Sequence, residues 1–189
     1  MEADYLMFID DDVLVSPTVL EVLLSRKKDI TAAITFLRSY PFEPMFFKTL
    51  YSDELGIKVM DKYHNWEDNI NSEGLVECDA VGFSCVLINV ELLKKVSTPF
   101  FVTSPWHTED TYFCIKAKNE LGLKEVSVFV DTTVPTSHLV DKEGVNIGNV
   151  KSLRKYYEEA YPEITSKLKS SSRLDRNIES VENMLKVFA

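Results

Sequence analysis

The chain has 189 residues, enough for one well-buried core. Hydrophobic residues make up 45% and charged residues 27%, while 21 Lys and Arg against 30 Asp and Glu leave a net charge of −9. That balance argues against a nucleic-acid groove as the main site, and no apolar run reaches the length of a membrane span.

The first element is the run Tyr5-Leu6-Met7-Phe8-Ile9, which leads straight into Asp10-Asp11-Asp12. A short continuous apolar run predicts a strand buried on both faces of a parallel sheet. Three acids are too costly inside such a sheet, which places them at its carboxyl edge, where open α/β sheets bind ligands. If the strand persists, Asp10 and Asp12 point the same way, as paired hard ligands for Mg²⁺ or Mn²⁺ carrying phosphates. The alternative is a polar turn that ends a strand. The acidic N-terminus, entering a strand at once, does not read as a signal peptide.

Ser16 as cap and Pro17 at the first helical position open a helix with Val19, Leu20, Leu23 and Leu24 on its apolar face. A strand over 29–35 follows, and this order predicts a parallel sheet with crossover helices. From Phe36 to Gly74 the pattern loosens. Residues 38–47 carry two prolines and four aromatics, and 46–48 and 57–59 suit short antiparallel pieces. These aromatics either cover the core or line an acceptor site.

Strands are predicted at 75–81 and 82–89, then a helix over 90–96. Gly82 between them implies a tight turn, a bulge or a backbone close to a ligand. A polar loop ends at Trp106-His107-Thr108. Glu109 and Asp110 then open a helix that Gly122 closes, with Thr108 as cap. Residues 126–131 form a buried strand ending in Asp131, and the chain then leads away past His138. Cys78, Cys85 and Cys114 form no C-x-x-C pair, so buried reduced thiols in a cytoplasmic protein are expected rather than zinc. Residues 1–148 read as the core and 149–189 as a helical extension. Ile178, Val181, Leu185 and Phe188 give that extension a packing or dimer stripe.

The pieces DYLMFIDDD, CDAVGFSCVLINVELLKKV, PFF, TEDTYFCIKAKNELG and VFVDTTVPTSHL follow one another in an order that resembles the glycosyltransferases of the GT-A fold, most closely family two. The resemblance covers residues 3–139. It implies an α/β core with a mostly parallel sheet flanked by helices, and a metal-dependent transferase using a nucleotide-diphosphate sugar and a hydroxyl acceptor. By position, Asp10 and Asp11 would border the donor, Asp10 and Asp12 would face Mn²⁺ or Mg²⁺, and His138 would be a further metal ligand. Asp110, with Glu109 beside it, would deprotonate the acceptor, which favours inversion. Gly82, Phe83 and Ser84 would border the donor sugar, and Trp106 with His107 would lie on a closing loop.

One departure stands out. Such enzymes place a strand–helix–strand nucleotide-binding half before the D-x-D strand, and here only a few residues precede it. The expectation is therefore an open sheet edge, covered by a homodimer or by a separate N-terminal half. Two other readings compete. A non-catalytic remnant or interaction module would not bind nucleotide sugars. A haloacid-dehalogenase phosphatase would release phosphate from monoesters, but it needs Thr or Val two places after the second Asp, where Leu14 stands.

Overall fold

A computed structural model describes residues 3–52, 57–103, 107–140, 143–163 and 165–166. Along the chain run β1 (Tyr5–Ile9), β2 (Val13–Val15), α1 (Val19–Ser25), β3 (Ile30–Ile34), β4 (Phe46–Ser52), β5 (Ile57–Lys62), a 3₁₀ turn (Glu67–Asn69), β6 (Leu75–Glu77) and β7 (Ala80–Val81). After these come β8 (Cys85–Asn89), α2 (Val90–Lys95), α3 (Glu109–Leu121), β9 (Val128–Val140), β10 (Glu143–Val145) and α4 (Val150–Ala160).

The main sheet has seven strands in the path β1-β8-β3-β9-β10, with β2 and β6 also pairing with β9. Among the described residues only β3 and β9 run parallel; the other pairs in this sheet are antiparallel. This overturns the expected α/β fold with a mostly parallel, GT-A-like sheet flanked by helices. The architecture is a mixed sheet with few helices. An apolar run reports burial and says nothing about strand direction, which is why the error arose. Even burial fails for β1: Leu6 and Ile9 are exposed, so the strand is not doubly buried. By contrast β3 is buried at all five residues, between β8 and β9.

The strand β9 organises the fold. Its first half runs beside β3 and β6; a register shift between Ala33 and Ile34 follows, and its second half pairs with β2 and β10. The sequence reading ended this strand at Asp131, yet it continues through Pro135 to Val140. The predicted strand over 75–81 is divided instead. β6 joins the main sheet, whereas β7 joins a three-stranded sheet in the order β5-β4-β7. Helix α1 buries only Val19 and Leu23, leaving Leu20 and Leu24 exposed.

The core gathers β3, β6, β7 and β8 with Phe113, Cys114 and Ala117 of α3 and Val150 of α4. The three cysteines are free and buried. Among the described residues no helix is long and apolar enough to cross a membrane. The stripe at Ile178, Val181, Leu185 and Phe188 lies outside the described residues.

Candidate functional site

The three acids do not continue β1. The Asp10 N–H donates to the Ser84 carbonyl at 3.0 Å, adding one rung to the β1–β8 ladder, and the Val13 N–H donates back to the Asp10 carbonyl at 3.2 Å. Asp11 and Asp12 therefore form a tight turn that carries the chain from β1 to β2. The period-two argument that aligned Asp10 with Asp12 does not apply here. What places Asp12 is the next strand: Val13 stands opposite His138, and the Leu139 N–H donates to the Asp12 carbonyl at 2.9 Å.

Asp12 Oδ2 lies 3.4 Å from His138 Nε2 and 2.8 Å from a guanidinium nitrogen of Arg38. The other ring nitrogen of His138, Nδ1, is 2.8 Å from the Phe36 carbonyl. A carbonyl can only accept, so Nδ1 carries the proton and donates it. In the neutral ring the Nε2 lone pair then faces a carboxylate oxygen. The two acceptors leave room for a shared cation, and the Arg38 guanidinium already brings one positive charge to the Asp12 oxygen. His138 is buried and Asp12 half-buried, so solvent does little to relieve the contact.

Asp10 belongs to the same electrostatic neighbourhood. Lost hydration raises its carboxyl pKa above the ordinary value, and the negative charges of Asp12, Asp11 and Asp110 raise it further. His138 opposes them. Residues 10–12, 110 and 138, distant in sequence, thus act on one carboxyl. They do not close a cage, however: among the described residues no three His, Cys, Asp or Glu side chains gather to hold a metal. Asp10 is a neighbour of the Asp12–His138 pair.

Asp110 stands in the first turn of α3. Its Oδ1 accepts the Thr111 N–H at 2.6 Å and also the Thr108 hydroxyl. Thr108, the expected cap, makes no side-chain bond to the helix backbone, so Asp110 takes over part of that task. Glu109 instead accepts from the Thr103 hydroxyl at 3.2 Å. The two acids are adjacent in sequence but differently engaged.

Gly82 packs closely against Met45 within the fold. A Cβ there would meet Met45 Cε at 2.8 Å, and the Gly82 N–H donates to the Met45 carbonyl at 2.7 Å. Phe83 joins a cluster with Phe8 (ring centroids 5.4 Å apart), Phe101 (6.0 Å) and Phe113 (6.0 Å), which ties β1 to α3. Ser84 is buried and serves the turn through its carbonyl. His107 lines a cavity of about 430 Å³ with Asp79, Ile115 and Lys118, along α3. Trp106 lies outside the described residues.

Sequence reasoning missed Arg38 and the Phe36 carbonyl. Neither carries a motif, since a lone arginine in an aromatic, proline-rich stretch resembles any surface cation.

No protein-family model and no curated protein matches the chain. Among solved structures it is similar to A197 from STIV, at 19% identity and a TM-score of 0.49. The match covers 73% of this chain and 59% of that one, so the chain spans well under two thirds of that neighbour's length.

Proposed function

We propose that the chain is a metal-dependent transferase that moves a sugar from a nucleotide-diphosphate donor to an acceptor hydroxyl. The observation that carries this reading is the Asp12–His138 pair, with the His138 proton held on Nδ1 by the Phe36 carbonyl. That leaves Nε2 facing a carboxylate, the polarity of a metal-ligating histidine with an oriented outer partner. Two protein ligands suit a hard cation whose remaining positions are filled by phosphate oxygens and water. Asp12 and His138 would hold Mn²⁺ or Mg²⁺. When bound, such an ion offsets charge developing on leaving phosphates.

The protein's own contributions are separable. The turn at Asp10–Asp12 presents its carboxylates, the strand pairing of β2 with β9 fixes Asp12 against His138, and Asp110 accepts the proton of the attacking hydroxyl. Asp110 acts on Asp10 electrostatically, which supports its placement on the same side of the molecule. The three buried thiols support a reducing, cytoplasmic setting. The reading extends to a homodimer formed along β1, the terminal strand of the sheet path.

The test is thermal. At a hundredfold excess over Kd, Mn²⁺ should raise the Tm of the wild type by about 5–10 °C. Asp12→Asn and His138→Ala should each lose most of that rise. Equal shifts in all three proteins would remove the site. A second reading draws on the Arg38 contact: Arg38, Asp12 and His138 form a purely structural ion cluster in an interaction module. It predicts no Mn²⁺-dependent release of nucleoside diphosphate from UDP-, GDP- or dTDP-sugars.

A further inference from the structure

Arg38 is held in an unusual setting. One guanidinium nitrogen lies 2.8 Å from Asp12 Oδ2, the same oxygen that faces His138 Nε2 at 3.4 Å. The segment that carries Arg38 is pinned along its length. His138 Nδ1 donates to the Phe36 carbonyl, the Leu37 N–H donates to the Glu43 carbonyl at 2.8 Å, and the Phe42 N–H donates to the Ser39 carbonyl at 2.7 Å. Arg154 of α4 clamps the tip by donating to the carbonyls of Pro41 (2.6 Å) and Phe42 (2.9 Å). The backbone is thus fixed, while the Arg38 side chain is 57% exposed and can swing.

We propose that Arg38 is an internal counter-ion that a divalent cation displaces from Asp12, and that the freed guanidinium then binds the diphosphate of the donor. The inference rests on the metal reading given above and deepens it. A divalent cation on Oδ2 weakens the bond of that oxygen to the guanidinium, because the two positive charges repel at this range. The displaced side chain would stay close to the turn, because its backbone does not move.

The surroundings give the freed guanidinium work to do. Asp10, Asp11, Asp12 and Asp110 repel an anionic ligand, and the whole chain carries −9. In the described ion pairs, the groups that meet the acid turn are Arg38 and His138. A guanidinium remains charged at every working pH, and its planar fork matches two phosphate oxygens at once. A lysine ammonium in its place would supply charge without the fork. The competing account is an exposed ion pair with little consequence for binding.

The experiment uses the full chain and two probes, Mn²⁺ alone and inorganic pyrophosphate in the presence of Mn²⁺, both followed by calorimetry. Arg38→Gln should bind Mn²⁺ alone roughly three- to tenfold more tightly, since its competitor is gone. It should bind pyrophosphate with Mn²⁺ at least about tenfold more weakly, the loss expected for a charge-assisted bond. Arg38→Lys should restore the weaker Mn²⁺ affinity while recovering only part of the pyrophosphate affinity. Lys151→Gln, which removes an exposed positive charge on α4, should change neither.

Unchanged pyrophosphate affinity in Arg38→Gln, with Mn²⁺ binding still abolished by Asp12→Asn, overturns the role of Arg38 and leaves the metal site standing. Unchanged Mn²⁺ affinity in Arg38→Gln overturns the displacement. A wild type that binds no Mn²⁺ at all overturns both readings together.

Discussion

Arg26 Nε lies 2.7 Å from Asp131 Oδ2, and the Asp131 side chain is fully buried. Its other oxygen accepts the Thr133 N–H at 2.8 Å and the Thr133 hydroxyl at 2.6 Å. An acid in the middle of a long strand is therefore a structural anchor, joining the end of α1 to β9. Removing one partner strands a buried charge, which costs about 3–5 kcal/mol. Arg26→Met should lower stability by that order in urea denaturation. Arg26→Met together with Asp131→Asn should recover much of it, because no unpaired charge then remains. A loss below about 0.5 kcal/mol in the single variant would show that the pair is not needed.

The cysteines give a second expectation. Burial pushes the Cys85 thiol up to about 11 and the Cys114 thiol up to about 12, and Cys78 is raised well above its ordinary value. The thiolate is the reactive form, so all three should resist labelling by a disulfide reagent at pH 8 and react promptly in denaturant. The sign of the linkage follows. Each folded pKa exceeds the unfolded one, so the native state binds more protons above the ordinary thiol pKa of 9.0. Stability should be complete below that pH and decline from about pH 9 to about 12. Rapid native labelling at pH 8 would place a thiol at the surface.

Much of the local structure was legible in sequence, and the sheet's direction was not. The helix at Glu109–Leu121 and the strands at Tyr5–Ile9 and Cys85–Asn89 follow from apolar runs and capping residues, because those signals are local. Strand direction depends on partners far away. β1 lies antiparallel to β8, some eighty residues on, and nothing within either run specifies that. The site divides in the same way. Asp12, His138 and Asp110 were visible as residue types at suggestive positions. Arg38 and the Phe36 carbonyl were invisible, because one is a common surface residue and the other a backbone atom. Asp10 and Asp12 were aligned by a strand periodicity that the turn at Asp11 breaks.

The outer side of β1 yields a third expectation. Among the described residues this strand ends the sheet path, and Leu6 and Ile9 on it are 40% and 48% exposed. An open strand edge with apolar side chains is a template for pairing, and a second copy offers the same edge under twofold symmetry. Sedimentation velocity should show concentration-dependent dimers, and Leu6→Lys should shift the equilibrium to monomer. A wild type that stays monomeric at several hundred micromolar would count against this surface.

The fourth prediction concerns Asp110, whose geometry supports two roles at once. As a cap, it accepts the Thr111 N–H at 2.6 Å, while the Thr108 hydroxyl donates to Asp110 and not to the helix backbone. Losing a cap costs about 1 kcal/mol of stability and nothing chemical. As a base, it stands in the same electrostatic neighbourhood as Asp10 and in the first turn of α3. Asparagine separates the two roles. It can still accept the backbone N–H, so Asp110→Asn should retain nearly wild-type stability and Mn²⁺ binding. It cannot accept a proton at neutral pH, so sugar transfer should fall by roughly two to four orders of magnitude. Glu109→Gln should do less to turnover, because Glu109 is engaged with Thr103. Asp110→Ala should lose both stability and turnover, which makes asparagine the informative substitution. Near-normal transfer in Asp110→Asn would reduce the residue to its capping role and transfer the search for a base to Glu109.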